Sequence, residues 1–462
     1  MARFLWSVLA TALVSGCARG VPERDVRSVL DEPHVARSAV ADGERRDVVS
    51  DDDLVRSLDR ASVVRAVVSR SPALKARAFR VRSMVAGARA AGALPPPMAM
   101  ATLWQMPLRG SFLYGDSSML MLGLQQSFPP AAALDAEARA TVEDAKSETA
   151  MLIGQERELV QLTETLLVDL GESSAKQRVY DDQRRLLTQM AETARARLST
   201  GGTGLADIAR AQLEMARLER DVAVAKSDAT RARASLNTLL GRPAVAPLGE
   251  LSDAPVEVPA SSAEELSQAA REKRPEIAVA ASIERREAAR AEAAAARGSR
   301  PEMAVGVNYG LARQSGMPDT WGATFSMSLP WLSPAYRAQE ESATLARSAA
   351  QHDAAAARLD LDRELAGSLS RIDAAVRQLA IVETVIEPAA TRAIEATRSG
   401  YAAGGGDVVG WLDSMRARLE TGLAKVQIRA ELGRAMVDLD RAAGAPVARK
   451  ILTPKELADV AR

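Results

Sequence analysis

Large apolar side chains recur at seven-residue spacing along much of this chain. Leu152, Leu159 and Leu166 form one series, and Ile153, Val160 and Leu167 repeat it one position on. Doubled apolar pairs at heptad intervals predict a helix packed on two sides within a coiled-coil sheet of helices. No proline interrupts residues 131–242, and only glycines break the pattern. A helix over residues 131–200 would run ~105 Å at ~1.5 Å per residue. That exceeds the width of an ordinary domain and predicts an elongated structure. Pro388 falls inside a second long helical run and predicts a kink there.

Two segments follow a different period. Met303, Val305, Val307, Tyr309 and Leu311 alternate with Ala304, Gly306, Asn308 and Gly310. Trp321, Ala323, Phe325, Met327 and Leu329 alternate with Gly322, Thr324, Ser326 and Ser328. Period two with large apolar residues on one side predicts strands between two environments. Weaker versions lie at Met98–Met106 and Ser118–Gln126, so hairpins are expected at about residues 98–127 and 302–330. Strands of this length match the ~9–11 residues that cross a bilayer on a tilt. Aromatics collect beside them, including Trp104, Tyr114, Phe128, Tyr309, Trp321 and Trp331, as in the interfacial girdles of membrane barrels. Four strands cannot close a barrel alone, and an open edge in lipid leaves backbone groups unpaired. If the strands span a membrane, copies of the chain must share one barrel, and three copies would supply twelve strands. The other reading is a pair of soluble hairpins packed on a core. Gly, Ser, Thr and Asn on the opposite face, and the scarcity of charge, weigh against it.

The plan occurs twice. Ser71-Pro72-Ala73-Leu74 recurs as Arg274-Pro275-Glu276-Ile277, each leading into an Ala/Arg-rich helical stretch. Leu94-Pro95 and Arg300-Pro301 open the aromatic blocks, and Phe128-Pro129 and Leu329-Pro330 close them. Long charged helical runs follow and break at Gly201-Gly202-Thr203-Gly204 and Gly404-Gly405-Gly406. They resume as Leu205–Leu240 and Val408–Ala443, ending at Gly241 and Gly444. The offset is 203 at the first prolines and 201 at the last. Landmarks in one order at near-constant spacing indicate a duplicated domain. The repeats are taken as residues 55–242 and 263–445, with a proline-rich linker at 243–262 and a tail at 446–462.

Composition narrows the function. Sixty Lys+Arg balance sixty Asp+Glu, without the basic excess that nucleic-acid binding requires. Two His and one Cys leave little material for a transition-metal enzyme or a Cys/His nucleophile, and no enzyme activity is expected. Residues 1–16 carry Arg3, a short apolar run from Phe4 to Val14, then Ser15 and Gly16, the pattern of a secretory signal peptide. Val14-Ser15-Gly16-Cys17 resembles the bacterial lipobox, in which the cysteine is acylated after cleavage. In that reading Cys17 is the lipidation site, the covalent lipid is the only attached group, and residues 17–54 form a tether; the other reading is a plain signal peptide with an incidental cysteine. By resemblance to bacterial sorting rules, Ala18 favours the outer membrane.

The lipobox, the duplicated plan and the two hairpins together resemble the TolC-like outer-membrane efflux proteins. So do Thr203-Gly204-Leu205-Ala206-Asp207-Ile208-Ala209-Arg210-Ala211-Gln212 and Arg274-Pro275-Glu276-Ile277. The resemblance covers about residues 55–445. Leu94-Pro95-Pro96-Pro97-Met98 and Leu122-Gly123-Leu124-Gln125-Gln126-Ser127-Phe128-Pro129 are most similar to the heavy-metal branch. Pro96 and Ala132-Ala133-Leu134 depart from its pattern. The resemblance implies a mainly α fold with a small membrane β-barrel: duplicated helix–hairpin–helix units forming a trimeric α-barrel and a 12-stranded shared β-barrel. It implies a homotrimer in the outer membrane of a Gram-negative bacterium, with a periplasmic tunnel. A periplasmic adaptor and an inner-membrane efflux pump of the resistance-nodulation-division type would be its partners, with heavy-metal cations or drugs as cargo. The alternative is a periplasmic coiled-coil adaptor or structural lipoprotein without a barrel. Such adaptors usually carry one helical hairpin in extensive β structure, whereas two tips and little β are found here.

Candidate sites follow. The tips, Gly201–Leu205 and Gly400–Asp407, need glycine for chain reversal. The resemblance adds adaptor contact for Gly201, Gly202, Thr203, Gly204, Leu205, Gly404, Gly405, Gly406 and Asp407. Asp413 lies where family members often line the periplasmic gate with acids, though Gly410 replaces a further one, and the other reading is a solvated helix acid. Arg210 holds the matching place in the first repeat, so an Asp413–Arg210 pairing between hairpins is expected. Met98, Met100, Met106, Met119 and Met121 offer thioethers that suit soft cations, but their period-two placement favours lipid-facing or gap-filling roles. His34 and His352 read as surface residues, and no metal site is expected.

Overall fold

The computed structural model describes residues 23–33, 49–104, 119–199, 205–251, 255–312, 318–403 and 405–460. In chain order the elements are α1 (Glu23–Leu30), α2 (Asp51–Arg56), α3 (Arg60–Arg70), α4 (Pro72–Ala90), β1 (Met98–Trp104), β2 (Met119–Phe128), α5 (Ala131–Ser199) and α6 (Leu205–Leu239). The second half continues with β3 (Glu257–Pro259), α7 (Ala263–Lys273), α8 (Pro275–Ser299), β4 (Met303–Ala312), β5 (Thr320–Met327), α9 (Pro334–Ile381), α10 (Glu387–Ala402), α11 (Val408–Ala442), β6 (Arg449–Ile451) and α12 (Pro454–Val460). Both predicted hairpins form, and the long run from Ala131 is a single 69-residue helix.

Two compact units divide the chain, and α5 passes from one into the other between Leu152 and Ile153. The first unit draws on Ala76–Leu152 and Glu276–Ala357. Its sheet has the order β1-β2-β4-β5, antiparallel throughout. The two repeats meet in this sheet because β2 pairs with β4, Leu122 opposite Tyr309. In the adjoining helices, buried Ala136, Ala140, Ala289 and Ala293 allow close helix approach, the small side chains acting as shallow grooves. Charged pairs fix the register: Arg77 to Glu148 at 2.9 Å, Arg285 to Glu143 at 2.8 Å and Arg286 to Asp144 at 2.9 Å.

The second unit draws on Val40–Lys75, Ile153–Pro275 and Arg358–Arg462. One apolar cluster joins Leu54, Leu58, Val63 and Val67 to Leu167, Leu170, Leu236 and Leu240. A second gathers Leu187, Met190, Leu218, Ile394, Tyr401, Trp411 and Met415. The linker between repeats is not free chain here: β3 pairs with β6, and Arg449 reaches Glu257 at 3.0 Å and Asp440 at 2.5 Å. Asp59 caps α3, and Ser262 with Glu265 forms a capping box on α7, satisfying N–H groups left over by the first helical turn. The repeated words at the ends of α6 and α11 share a geometry too, Gly241 and Gly444 both standing at φ 69°.

The break expected at Pro388 takes the form of a π-helical turn, Val382–Ile386, between α9 and α10. The Glu387 N–H bonds Val382 O, five residues back. Proline has no N–H to give and crowds the preceding turn, and one widened turn absorbs this without ending the helix.

Candidate functional site

Residues opposite each other on paired strands share a face, so the register sorts the sheet of the first unit into two surfaces. Met303, Val305, Val307 and Tyr309 of β4 stand opposite Met327, Phe325, Ala323 and Trp321 of β5. Leu122 and Leu124 of β2 stand opposite Tyr309 and Val307, and opposite Ala101 and Ala99 of β1. This surface is apolar apart from Gln126, which stands opposite Val305. Nothing among the described residues covers it: Trp321 is 78% exposed and Phe325 64%. The other surface carries Gln125, Ser127, Asn308, Thr320, Thr324 and Ser326 among glycines and alanines. No strand of this sheet contains a charged residue. The outer edges of β1 and β5 pair with nothing among the described residues.

An uncovered apolar face of this extent is unfavourable in water and marks a surface for lipid or a partner. Two open edges carry unpaired N–H and C=O groups that invite further strands. The lipid-facing half of the methionine expectation is corrected by the same register. Met98 and Met100 stand opposite Gln125 and Gly123, and Met121 and Met119 opposite Thr102 and Trp104, on the polar surface rather than the lipid-suited one. Period two divides a strand into two faces but does not say which face a methionine shares across the sheet. Met106 lies outside the described residues. No described helix is long and apolar enough to cross a membrane.

The helix-hairpin tips belong to the second unit. Tyr401, 1% exposed, closes α10. Its ring lies 5.3 Å from that of Trp411, in the first turn of α11. The Arg197 guanidinium stands 4.5 Å above the Tyr401 ring and donates to Tyr401 O at 2.7 Å. The Tyr401 hydroxyl donates to Asp207 of α6 at 3.4 Å. Both helical hairpins are therefore tied together at their ends. Sequence reasoning missed Tyr401 and Trp411. The signal was a pair of aromatics flanking a glycine cluster in an otherwise aromatic-poor helical region.

The expected Asp413–Arg210 pair does not form within the chain. Arg210 turns to Asp207, 3.5 Å away and three residues back, and Asp413 to Arg416 at 3.2 Å. The link between hairpins lies one turn further along, where Arg416 donates to Glu214 at 2.6 Å. That bond holds the Glu214 carboxyl below the usual glutamate range. Asp413 itself is well exposed.

Asp407 is the N-cap of α11, accepting from the Gly410 N–H at 3.0 Å. Leu205 is 74% exposed. Gly405 and Gly406 do not adopt the left-handed conformation expected for reversal. Both N–H groups bond Gly400 O, at 3.1 and 3.0 Å. A Cβ on Gly406 would lie 2.9 Å from Tyr401 N, so closeness to the backbone, not positive φ, requires glycine there. Cys17, Gly201, Gly202, Thr203, Gly204, Gly404 and His34 lie outside the described residues.

The second unit also holds a cavity of ≈ 620 Å³ lined by Glu387, Lys425, Arg449 and neighbours. Its charges largely answer one another, as in Lys425 to Glu387 at 2.9 Å. Among the described residues no group of three or more His, Cys, Asp or Glu could hold a metal ion, and His352 is exposed.

Known proteins share part of this sequence and its fold. Residues 266–445 match the family described as Outer membrane efflux protein. The fold is that of solved outer-membrane channels. CusC, whose structures concern transmembrane channel formation, aligns with TM-score 0.73 at 15% identity over 89% of this chain and 97% of its own. The outer-membrane channel OprN aligns with TM-score 0.72 at 19% identity over 89% and 95%. The outer membrane protein VceC of Vibrio cholerae aligns with TM-score 0.70 at 17% identity over 84% and 96%. No curated protein sequence matches the chain.

Proposed function

We propose that this chain is an outer-membrane efflux channel of the TolC-like type, a passive conduit of a tripartite pump. The observation that carries this is the charge-free, four-stranded sheet with one uncovered apolar face and two open edges. In lipid such a sheet is stable only when its edges are paired. Three copies, β1 of one joined to β5 of the next, make a twelve-stranded barrel. The 10 residues of β2 and of β4 suit a tilted bilayer crossing, the described parts of β1 and β5 have 7 and 8, and the polar surface then lines the lumen. The family match over the second repeat and the shared fold support the reading.

In this reading Cys17 carries lipid and anchors the mature chain to the outer membrane. The helices form the periplasmic tunnel, the tips around Leu205 and Asp407 meet a periplasmic adaptor, and an inner-membrane pump supplies the driving force. The conduit catalyses nothing. Its cargo is heavy-metal cations or drugs. Fractionation of expressing cells, followed by planar-bilayer recording of the purified protein, tests this. Recovery with outer-membrane markers and discrete conductance steps are expected; a soluble protein without conductance would refute it.

A further inference from the structure

We propose that the chain carries a proton-dependent latch at Glu164, which fastens the N-terminal helices α2 and α3 to α5 more tightly in acid than at neutral pH. The latch stands on the second unit alone and does not require the channel reading above.

α2 and α3 pack as a strap on the long helices. Leu54, Leu58, Val63 and Val67 form its apolar underside, in one cluster with Leu167 and Leu170 of α5 and Leu236 of α6. Backbone bonds hold its near end, from the Gly249 N–H to Leu54 O at 2.9 Å and from the Leu58 N–H to Glu250 O at 3.2 Å. Just beyond, Arg60 opens α3 and donates to Glu164 of α5 at 3.3 Å. This ion pair ties the strap to the helix beneath it.

The charges around Glu164 do not balance. Asp440 of α11 accepts from Arg449 of β6 at 2.5 Å and from the Val447 N–H at 2.7 Å. Arg449 is shared with Glu257 of β3, 3.0 Å away. On α5 itself, Gln161 donates to Asp438 of α11, which also pairs with Arg371 of α9, both at 2.8 Å. The share of α6 in the apolar cluster is Ala229, Ala232 and Leu236, and no described α6 charge pairs with Glu164. Three carboxylates, Glu164, Asp440 and Glu257, are thus left on two guanidiniums, Arg60 and Arg449.

Glu164 is the least well served of the three. Its side chain is 15% exposed, and its one ion pair is the longest of the group. Arg60 meets it with a single nitrogen, while the buried Arg60 Nε has no partner. A carboxylate taken out of water recovers its desolvation cost only through close, well-formed pairing. A proton supplies the charge that the cluster lacks. Burial pushes the Glu164 carboxyl above the usual glutamate range; Arg60 opposes this, Asp440 reinforces it, and Arg449 opposes it.

With the strap lifted, Glu164 meets water and ionises in its ordinary range. Docking therefore takes up a proton. The proton-linked contribution is complete below the ordinary glutamate value and is lost as pH rises through the docked value. Glu214 behaves in the opposite sense, because its bond to Arg416 holds its carboxyl below the usual range.

The test is hydrogen–deuterium exchange of detergent-solubilised full-length protein from about pH 7.5 to about pH 5, above the ordinary glutamate value, corrected for the intrinsic pH dependence of amide exchange. In wild type, protection of α3 should rise about threefold or more across that range. E164Q, neutral throughout, should show the acid level of protection already at neutral pH and no further change. E214Q should keep the wild-type rise. Should E164Q fail to fold, D440N removes the excess negative charge beside Glu164 instead, and should move the rise to lower pH. Wild-type protection that stays level or falls in acid would overturn the latch. So would a rise that E164Q retains, or one that D440N leaves at the wild-type pH.

Discussion

Arg416 donates to both carboxylate oxygens of Glu214, at 2.6 and 3.5 Å, and this bond joins α11 to α6 behind the helix tips. It holds the Glu214 carboxyl below the usual glutamate range. A folded-state pKa lowered in this way stabilises the pairing above the unfolded pKa, and the contribution disappears as pH falls through the folded value. If the tips form the mouth of a conduit, acidification below the usual glutamate range should loosen them in wild type. Glu214→Gln should abolish that pH step, with a cost near neutral pH of about 1 kcal/mol, since the pair is partly exposed. Single-channel conductance against pH, wild type beside E214Q, checks both.

Tyr401 separates two contributions at the same tips. Tyr401→Phe removes only the bond to Asp207 and should cost about 0.5–1.5 kcal/mol. Tyr401→Ala also removes the packing on Trp411 and the Arg197 guanidinium over the ring. It should cost about 3–5 kcal/mol, seen as a clear drop in the thermal midpoint and a red shift of Trp411 emission as that ring loses its cover.

Gly241 and Gly444 share φ 69° but not surroundings. An alanine in that backbone conformation costs about 1–2 kcal/mol. At Gly241 the added Cβ meets nothing within 4 Å, whereas at Gly444 it would lie 2.7 Å from Arg274 Cα. Denaturant unfolding should therefore show G241A mildly destabilised and G444A severely so, although the two positions correspond in the duplicated sequence.

The two faces of the sheet predict opposite tolerance to charge. Val307→Lys places an ammonium on the apolar face and should cost about 2–4 kcal/mol if that face lies in lipid near the midplane. Thr324→Lys places the same group on the polar face and should leave yield intact while changing ion preference. Outer-membrane recovery of the two variants measures the difference. Equal recovery would mean that lipid does not cover Val307.

These contrasts show what the sequence made legible. Alternation in Met303–Leu311 and Trp321–Leu329 marked the strands of the second hairpin, because large apolar and small or polar side chains change places every two residues there. The pairing of β2 with β4 was not readable, since it joins residues as far apart in the chain as Phe128 and Met303 and depends on where the helices bring the chain back. The side of the sheet taken by Met100 and Met121 depends on that pairing too. At the tips, the 203-residue offset drew attention to Arg210 and Asp413, but the bond between hairpins uses Glu214 and Arg416. Helical phase sets which side chains face each other across an interface, and a correspondence between repeats does not contain that phase. Pro388 was visible as a disturbance, while its accommodation by a π turn required the backbone itself.

The mass of membrane-extracted full-length protein in mild detergent, corrected for bound detergent, tests the central claim most directly. Three chain masses are predicted, because β1 and β5 leave open edges that only further copies can pair in lipid. A stable species of one chain mass would contradict the shared barrel.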